Sequence, residues 1–406
     1  MIGLSRRAWL AAMGALPLVE VGAGAQPPTG MPEVPAGPIA KGSPAAGRFA
    51  GKSWRIQQMV DEDDTAAVMT DIQFASAERG IATGSLNRKG KEENQAWLTR
   101  NGGAKWTPVK LKDFPVSVNM VDESRVFFVG RDALWFSNEG GLVWEKRKLP
   151  KLDKAAREKG MFVNRVSFTD EKRGWAFGGG KVFQVTSDGG LTWTPVAESE
   201  ALGLKSENTI WTWMTWVTPK TGMIVGHSAS VPKDNSRYPD WMVPERAVRR
   251  RLTPSTTMVA ETHDGGGKWK MSVASTFGEV TRMRSLGNRA LTLFHYGDGL
   301  EFPSEVYALD VTTGKNVAFF RRKQIFVQDA VPLTGGGAMV VAVEPPGRLN
   351  NSPIPGKIRV FVTPDGLSWS EMKVDYRAVG RHATLARFDD ESIWICTDEG
   401  TILRMV

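Results

Sequence analysis

The chain has 406 residues, 41% hydrophobic and 24% charged, with 43 glycines, a single cysteine and a formal net charge of +8. This composition excludes a disordered, collagen-like or internally disulfide-stapled chain, and leaves a turn-rich globular protein with material for a sizeable core. No apolar run of about 20 residues is present to form a membrane-spanning helix.

Residues 1–25 read as an export signal. Ser5-Arg6-Arg7-Ala8-Trp9-Leu10 precedes a short apolar run, and Ala23-Gly24-Ala25 offers small residues for cleavage. The paired arginines resemble a twin-arginine signal with Trp9 where phenylalanine is usual; a general secretory signal carrying two arginines is the alternative. Both place the mature protein outside the cytoplasm. No cysteine follows the apolar run, which argues against a lipid anchor. Residues 26–50, rich in Pro, Gly and Ala, read as a flexible leader, and residues 51–406 as the folded unit.

From Ala66 onward, apolar alternation bounded by turn residues runs almost without interruption and amphipathic helices are nearly absent, so the fold class is all-β. One octapeptide recurs: Thr99-Arg-Asn-Gly-Gly-Ala-Lys-Trp106, Ser137-Asn-Glu-Gly-Gly-Leu-Val-Trp144, Thr186-Ser-Asp-Gly-Gly-Leu-Thr-Trp193 and Thr262-His-Asp-Gly-Gly-Gly-Lys-Trp269. A copy one residue shorter is Thr363-Pro-Asp-Gly-Leu-Ser-Trp369. The third residue (Asn101, Glu139, Asp188, Asp264, Asp365) can bond backbone N–H groups of its own turn. The glycines supply positive φ, and the tryptophan opens the next strand. Substitution of the aspartate by Asn101 and Glu139 marks a structural turn device and not a catalytic one.

An upstream signature pairs a strand ending in an aromatic with a second strand ending in glycine, as in Val166-Ser-Phe168 followed by Arg173-Gly-Trp-Ala-Phe-Gly178. The unit is four strands with the turn device between the third and fourth. At about 40–50 residues per unit, the tryptophan spacing gives seven units: a long insertion in the fourth, a degenerate fifth around Asp310-Val-Thr-Thr-Gly314, and only three strands in the seventh. Residues 53–58 are expected to supply the missing strand and close a ring, leaving no open sheet edge.

In such a four-stranded unit the turn devices share one face, while connections between strands two and three and between units share the other. The lengthened connections at residues 85–94, 227–255, 296–304 and 344–357, with the link at 145–160, therefore gather opposite the turn devices. That face is basic. Lys151, Lys154 and Arg157 lie on the link, where residues 152–159 read as a short helix; Arg246, Arg249, Arg250 and Arg251 lie beside Trp241 in the insertion. Arginines flanked by aromatics suit an acidic, partly apolar protein segment. The other reading is a solvated charge run on a flexible loop. Nucleic acid is not expected, because no known binding motif is present. The four histidines lack metal-ligand spacing, and no cofactor or metal site is expected. Cys396, inside Ser392-Ile-Trp-Ile-Cys396, reads as a buried strand thiol.

These repeats look like the Asp-box (BNR-type) repeats of seven-bladed β-propellers, and their combination with an export signal resembles the photosystem II stability/assembly factor family. The resemblance spans residues 51–406. It implies a non-enzymatic assembly factor that binds a membrane-complex subunit through an arginine-rich surface, in the periplasm or the thylakoid lumen. A monomer is expected. Asp-box propellers also include sialidases and other glycoside hydrolases, which is the alternative. A sialidase needs an arginine clamp for a carboxylate and a Tyr–Glu nucleophile pair at the channel. Arg55 falls on the ring-closing outer strand, and none of the four tyrosines has a glutamate partner by motif.

Overall fold

The computed structural model describes residues 47–228, 254–296, 300–344, 348–349, 352–353 and 355–406. Among the described residues the strands pair as seven successive four-stranded antiparallel meanders. Their first strands are Thr65–Phe74, Ser117–Met120, Phe162–Phe168, Thr209–Trp216, Glu279–Leu286, Phe326–Pro332 and Ala383–Arg387. Each touches the next in cyclic order, and the seventh touches the first. The sheets are thus the blades of a propeller around a central channel.

The last blade has three strands of its own and takes its fourth from the start of the folded region. Ser53–Met59 pairs antiparallel with Thr401–Met405, with Trp54 opposite Met405 and Arg55 opposite Arg404. Ser53 and Val406 exchange backbone hydrogen bonds of 3.0 and 2.9 Å. The same strand also meets the outer strand of blade six in parallel, Ser53 opposite Lys373. Arg55 is exposed on this outer edge, as expected.

Seven hydrophobic clusters fill the seven junctions between neighbouring blades. The second strands, covered on both faces, read as continuous apolar runs; Val126–Val129, Ala338–Val343 and Ile393–Thr397 are buried throughout. Cys396 is buried here, and burial raises its thiol pKa well above the ordinary value.

The aromatic that ends the first strand has a fixed place. Phe168 stacks on Phe127 of the preceding blade at 3.7 Å between centroids and meets its own box tryptophan, Trp193, edge-on at 6.2 Å. Phe74, between Trp394 and Trp106, and Trp216, between Trp175 and Trp269, repeat the arrangement. The ring lies flat on the glycine opening the second strand. A Cβ on Gly80, Gly174 or Gly222 would stand 2.5, 2.4 or 2.7 Å from the ring of Phe74, Phe168 or Trp216. Glycine is required at these positions for close approach.

Two expectations are corrected. Residues 85–94 do not form a long loop: Gly80–Arg88 and Lys91–Thr99 continue as paired strands to a two-residue turn, where Lys89 and Gly90 both have positive φ. The alternation simply runs on through charged residues. The link helix is shorter than residues 152–159, spanning Lys154–Glu158, because Asp153 caps its start by accepting a hydrogen bond from Ala156 N at 2.6 Å.

Removing residues 51–59 is expected to lower the melting temperature by on the order of 10 °C, since loss of one buried tryptophan already costs about 3–5 kcal/mol. Thermal denaturation followed by circular dichroism checks this; an unchanged midpoint would contradict energetic closure by this strand. Gly174→Ala is expected to cost about 1–3 kcal/mol through overpacking against Phe168. Gly203→Ala, with nothing within 4 Å of the added carbon and no positive φ, serves as the neutral control in the same denaturant titration.

Candidate functional site: a basic groove and a charged channel hub

The Asp-box turns are structural. In each of the five copies the first residue's hydroxyl accepts a hydrogen bond from a backbone N–H across the turn: Gly103, Gly141, Gly190 and Gly266 to Thr99, Ser137, Thr186 and Thr262 at 2.8–3.0 Å, and Gly366 to Thr363 at 2.9 Å. The carboxylates of Asp188, Asp264 and Asp365 accept two further backbone N–H groups each, and Asn101 accepts one. Glu139 is the exception, for no bond from its carboxylate to the turn is formed and Ser137 holds the turn instead. The hydroxyl is thus the constant element, a role that reading for aspartates overlooks. Gly189 and Gly190 take φ of +74° and +84°. Gly102, Gly140, Gly189 and Gly265 also donate to the carbonyls of Glu78, Ser124, Lys172 and Lys220 in the turn joining strands one and two. This fixes both sets of turns on one face of the disc.

The tryptophans Trp106, Trp269 and Trp369 are buried, and Trp144 and Trp193 half-buried. Each makes an edge-on or tilted aromatic contact: Trp144 with Phe128 and Trp369 with Phe319, for example.

A cleft of about 680 Å³ opens between blades two and three and reaches the blade-three box, where Lys148 N donates to Gly190 O at 3.1 Å and Trp193 Nε1 donates to Lys148 O at 2.8 Å. Leu149, Leu152, Met161 and Phe162 give it an apolar surface; Phe162 is 47% exposed. Arg131, Lys146, Arg147, Lys148, Lys151 and Arg157 line it against one carboxylate, Asp132. Arg147 is committed, stacked on Phe136 at 4.5 Å and donating to Gly189 O at 3.1 Å. Lys146, Lys148, Lys151 and Arg157 are exposed and form no ion pair among the described residues. Of the link residues singled out from sequence, Lys151 and Arg157 therefore meet in this cleft, whereas Lys154 points elsewhere and pairs with Glu158 at 3.8 Å. Trp241, Arg246, Arg249, Arg250 and Arg251 lie outside the described residues.

A second charged site sits in the channel and was not read from sequence. The first strands of blades one, three, four, five and six each carry a bulge. The residue after each is Asp71, Arg165, Trp213, Arg282 or Asp329, which the bulge turns toward the centre. Arg165 donates to Asp71 Oδ2 at 3.0 Å, and Arg284 grips Asp329 through Nε (3.0 Å) and Nη2 (2.6 Å). Arg165, Arg282 and Arg284 surround the Trp213 ring at 4.1, 4.8 and 4.8 Å. Burial alone would push Asp329 up, but Arg284 and Arg282 overcome it and hold its carboxyl below the ordinary value. A bulge has no residue signature, and without it the alternation assigns these side chains to the wrong face.

A Tyr–Glu arrangement exists that motif reading missed. Tyr296 and Tyr307 both donate to Glu305 Oε2, at 2.7 and 2.8 Å, and Arg321 stands 3.4 Å from the other oxygen. Glu305 and Tyr307 belong to the third strand of blade five, and none of these residues lines the channel cavities. Burial raises both tyrosine pKa values, the opposite of an activated nucleophile.

The architecture defines a β-propeller of repeated box turns with a basic cleft between blades two and three. The family model described as photosynthesis system II assembly factor YCF48 matches residues 98–208, a stretch that contains the cleft. Among solved structures, YCF48 bound to D1 peptide matches with a TM-score of 0.55 at 15% identity, over 87% of this chain and 95% of the other. YCF48 from Cyanidioschyzon merolae gives 0.53 at 14%, over 87% and 98%. The extracellular domain of a one component system from B. thetaiotaomicron gives 0.50 at 11%, over 87% and 40%. No curated protein matches the chain by sequence. The resemblance to the photosystem II assembly factor-like propellers is borne out. No described helix is long and apolar enough to cross a membrane.

Asp188 supplies a pH test. Hydrogen bonds from Thr192 and the turn backbone hold its pKa down to about 2. A depressed carboxyl contributes stability that is present above its unfolded value near 3.9 and lost as pH falls through the folded value. The melting temperature of wild type relative to Asp188→Asn is therefore expected to be constant above about pH 5 and to fall between about pH 4 and 2. Asparagine keeps the turn, as Asn101 does, so a pH-independent difference would show that the carboxylate's charge is not what the turn uses.

Proposed function

We propose that this chain is an exported, non-enzymatic propeller that binds an acidic, partly apolar segment of another protein, in the manner of an assembly factor for a membrane complex. The cleft between blades two and three carries this reading. Its Lys146, Lys148, Lys151 and Arg157, unpaired among the described residues, surround apolar Leu149, Leu152 and Phe162, which suits a segment alternating carboxylates with apolar side chains. The family-model match over residues 98–208 supports it, as does the existence of a structurally similar protein bound to a peptide. The insertion arginines Arg246, Arg249, Arg250 and Arg251, with Trp241, are proposed as a second contact. Compartment follows the signal at residues 1–25: the periplasm, or the thylakoid lumen if the source is photosynthetic. The protein works as a monomer. A glycoside hydrolase is the less favoured reading, because the Tyr–Glu group of blade five is saturated and removed from the channel arginines.

Crosslinking in the native envelope tests the groove. The double charge reversal Lys151→Glu with Arg157→Glu is expected to reduce recovery of the crosslinked partner at least tenfold, while Lys105→Glu on the box face leaves it unchanged. Undiminished recovery with Lys151→Glu and Arg157→Glu would remove the groove from the mechanism; the triple reversal of Arg249, Arg250 and Arg251 measures the insertion separately.

A further inference from the structure

The channel hub contains three guanidinium groups and two carboxylates, and the carboxylates are fully used. Asp329 accepts from Arg284 Nε and Ala330 N on one oxygen, and from Arg284 Nη2 and Leu385 N on the other, at 2.6–3.0 Å. Asp71 accepts from Ile72 N at 3.0 Å, Val118 N at 3.3 Å and Arg165 Nη1 at 3.0 Å. Arg282 is the remainder. Its Nη2 donates to Thr384 Oγ1 at 3.2 Å, while its Nη1 is buried, 3.6 Å from Asp329 Oδ2, and forms no hydrogen bond. A buried guanidinium N–H that forms no hydrogen bond is costly unless an acceptor meets it.

Space for that anion adjoins it. A cavity of about 280 Å³ opens from Arg282 toward the loop face, walled by Asp71, His382, Thr384 and Asp398. Asp398 is occupied, accepting from the N–H groups of Arg381 and His382 at 2.9 Å and standing 3.5 Å from Arg381 Nε. Beside His382, whose Nδ1 is 3.1 Å from Gln328 Oε1, the 95%-buried Gln328 leaves its Nε2 donor unpartnered. The wall thus presents the unbonded Nη1 of Arg282, with the Gln328 donor behind His382, and two carboxylates, Asp71 and Asp398, that repel any more highly charged anion.

We infer that this cavity is a binding site for a monocarboxylate, seated on Arg282 and Thr384 and entering from the loop face. The planar fork of arginine matches a carboxylate, and the single surplus charge selects a monoanion over phosphate. Burial, with Arg165 and Arg284 adding to it, pulls the Arg282 pKa down to about 10 against the opposing effect of Asp329, so the group stays charged at neutral pH. The site is separate from the groove and stands whether or not the groove binds protein. A carboxylate has two sources here, a small free acid or the C-terminus of a peptide.

Isothermal titration calorimetry and thermal shift on the full chain, with sodium acetate, N-acetyl-Ala-Ala, its C-terminal amide and inorganic phosphate, decide the matter. Acetate and the free-acid peptide are expected to bind and raise the melting temperature, and the amide and phosphate are not. Tighter binding of the peptide than of acetate assigns a chain terminus; equal binding assigns a small acid. Arg282→Gln is expected to lose at least tenfold in affinity. Thr384→Ala, expected to lose several-fold, carries the same test if Arg282→Gln does not fold. Lys151→Glu with Arg157→Glu is expected to leave carboxylate binding intact. No response to either carboxylate, a response to phosphate alone, or an undiminished response in Arg282→Gln would overturn the assignment.

Discussion

Seven sheets arranged radially can close only if the narrow space where their first strands converge is filled, and here it is filled by charge. All seven blades reach one network: Asp71 from blade one, the Val118 amide from two, Arg165 from three, Trp213 from four, Arg282 and Arg284 from five, Asp329 from six, and Thr384 with the Leu385 backbone from seven. Buried ions stabilise little on balance, but breaking one partner away from such a set is expensive. The hub therefore acts as a register device. A blade shifted by one residue would turn its polar member into the apolar junction and strand the charge facing it.

The bulges make this compatible with an apolar core. Without them, strict alternation would hold one face of each inner strand against the neighbouring blade and leave no freedom in what faces the axis. One extra residue per strand resets the phase halfway along, so that apolar packing continues on one side of the bulge while charged side chains enter the channel on the other. On the box face the demand is different. There the Thr or Ser hydroxyl, the paired glycines and the aromatic lying on a glycine give each turn a rigid, self-satisfied geometry that presents little unsatisfied polarity. Rigidity on that side leaves the opposite connections free to vary in length and charge.

What the chain reveals before folding follows from which signals are local. The meander, the box positions and the closing strand at residues 53–58 are legible because alternation, glycine pairs and tryptophan placement are all short-range, and Ser53–Met59 does pair with the C-terminal strand. The fifth blade is legible for the same reason: Asp310 still accepts from Thr312 and Thr313 N although its tryptophan is gone. Residues 85–94 misled because charged, Gly-containing sequence reads as loop until its cross-strand partners are known. Lys151 and Arg157 were found by charge density alone, whereas their separation from Lys154 depends on the short helix Lys154–Glu158 that Asp153 caps, which pairs Lys154 with Glu158. The hub was invisible, because Asp71, Arg282 and Asp329 are far apart in sequence and look like ordinary polar positions on half-exposed strands.

The two basic sites obey different electrostatics, and that divides their roles. In the groove the cations are exposed, so each contributes weakly and salt screens it; recognition there must come from several charges acting with the apolar surface of Leu149, Leu152 and Phe162. In the channel the guanidinium is buried and a single N–H carries the interaction, with geometry fixed by Thr384 and by the arginine–aspartate lattice around it. A surface of the first kind tolerates many related segments and responds to ionic strength. A site of the second kind discriminates one functional group and hardly responds to salt. On the readings proposed above, the cleft would hold a chain along its length through many weak contacts, while the channel would hold one carboxylate through a single well-placed guanidinium.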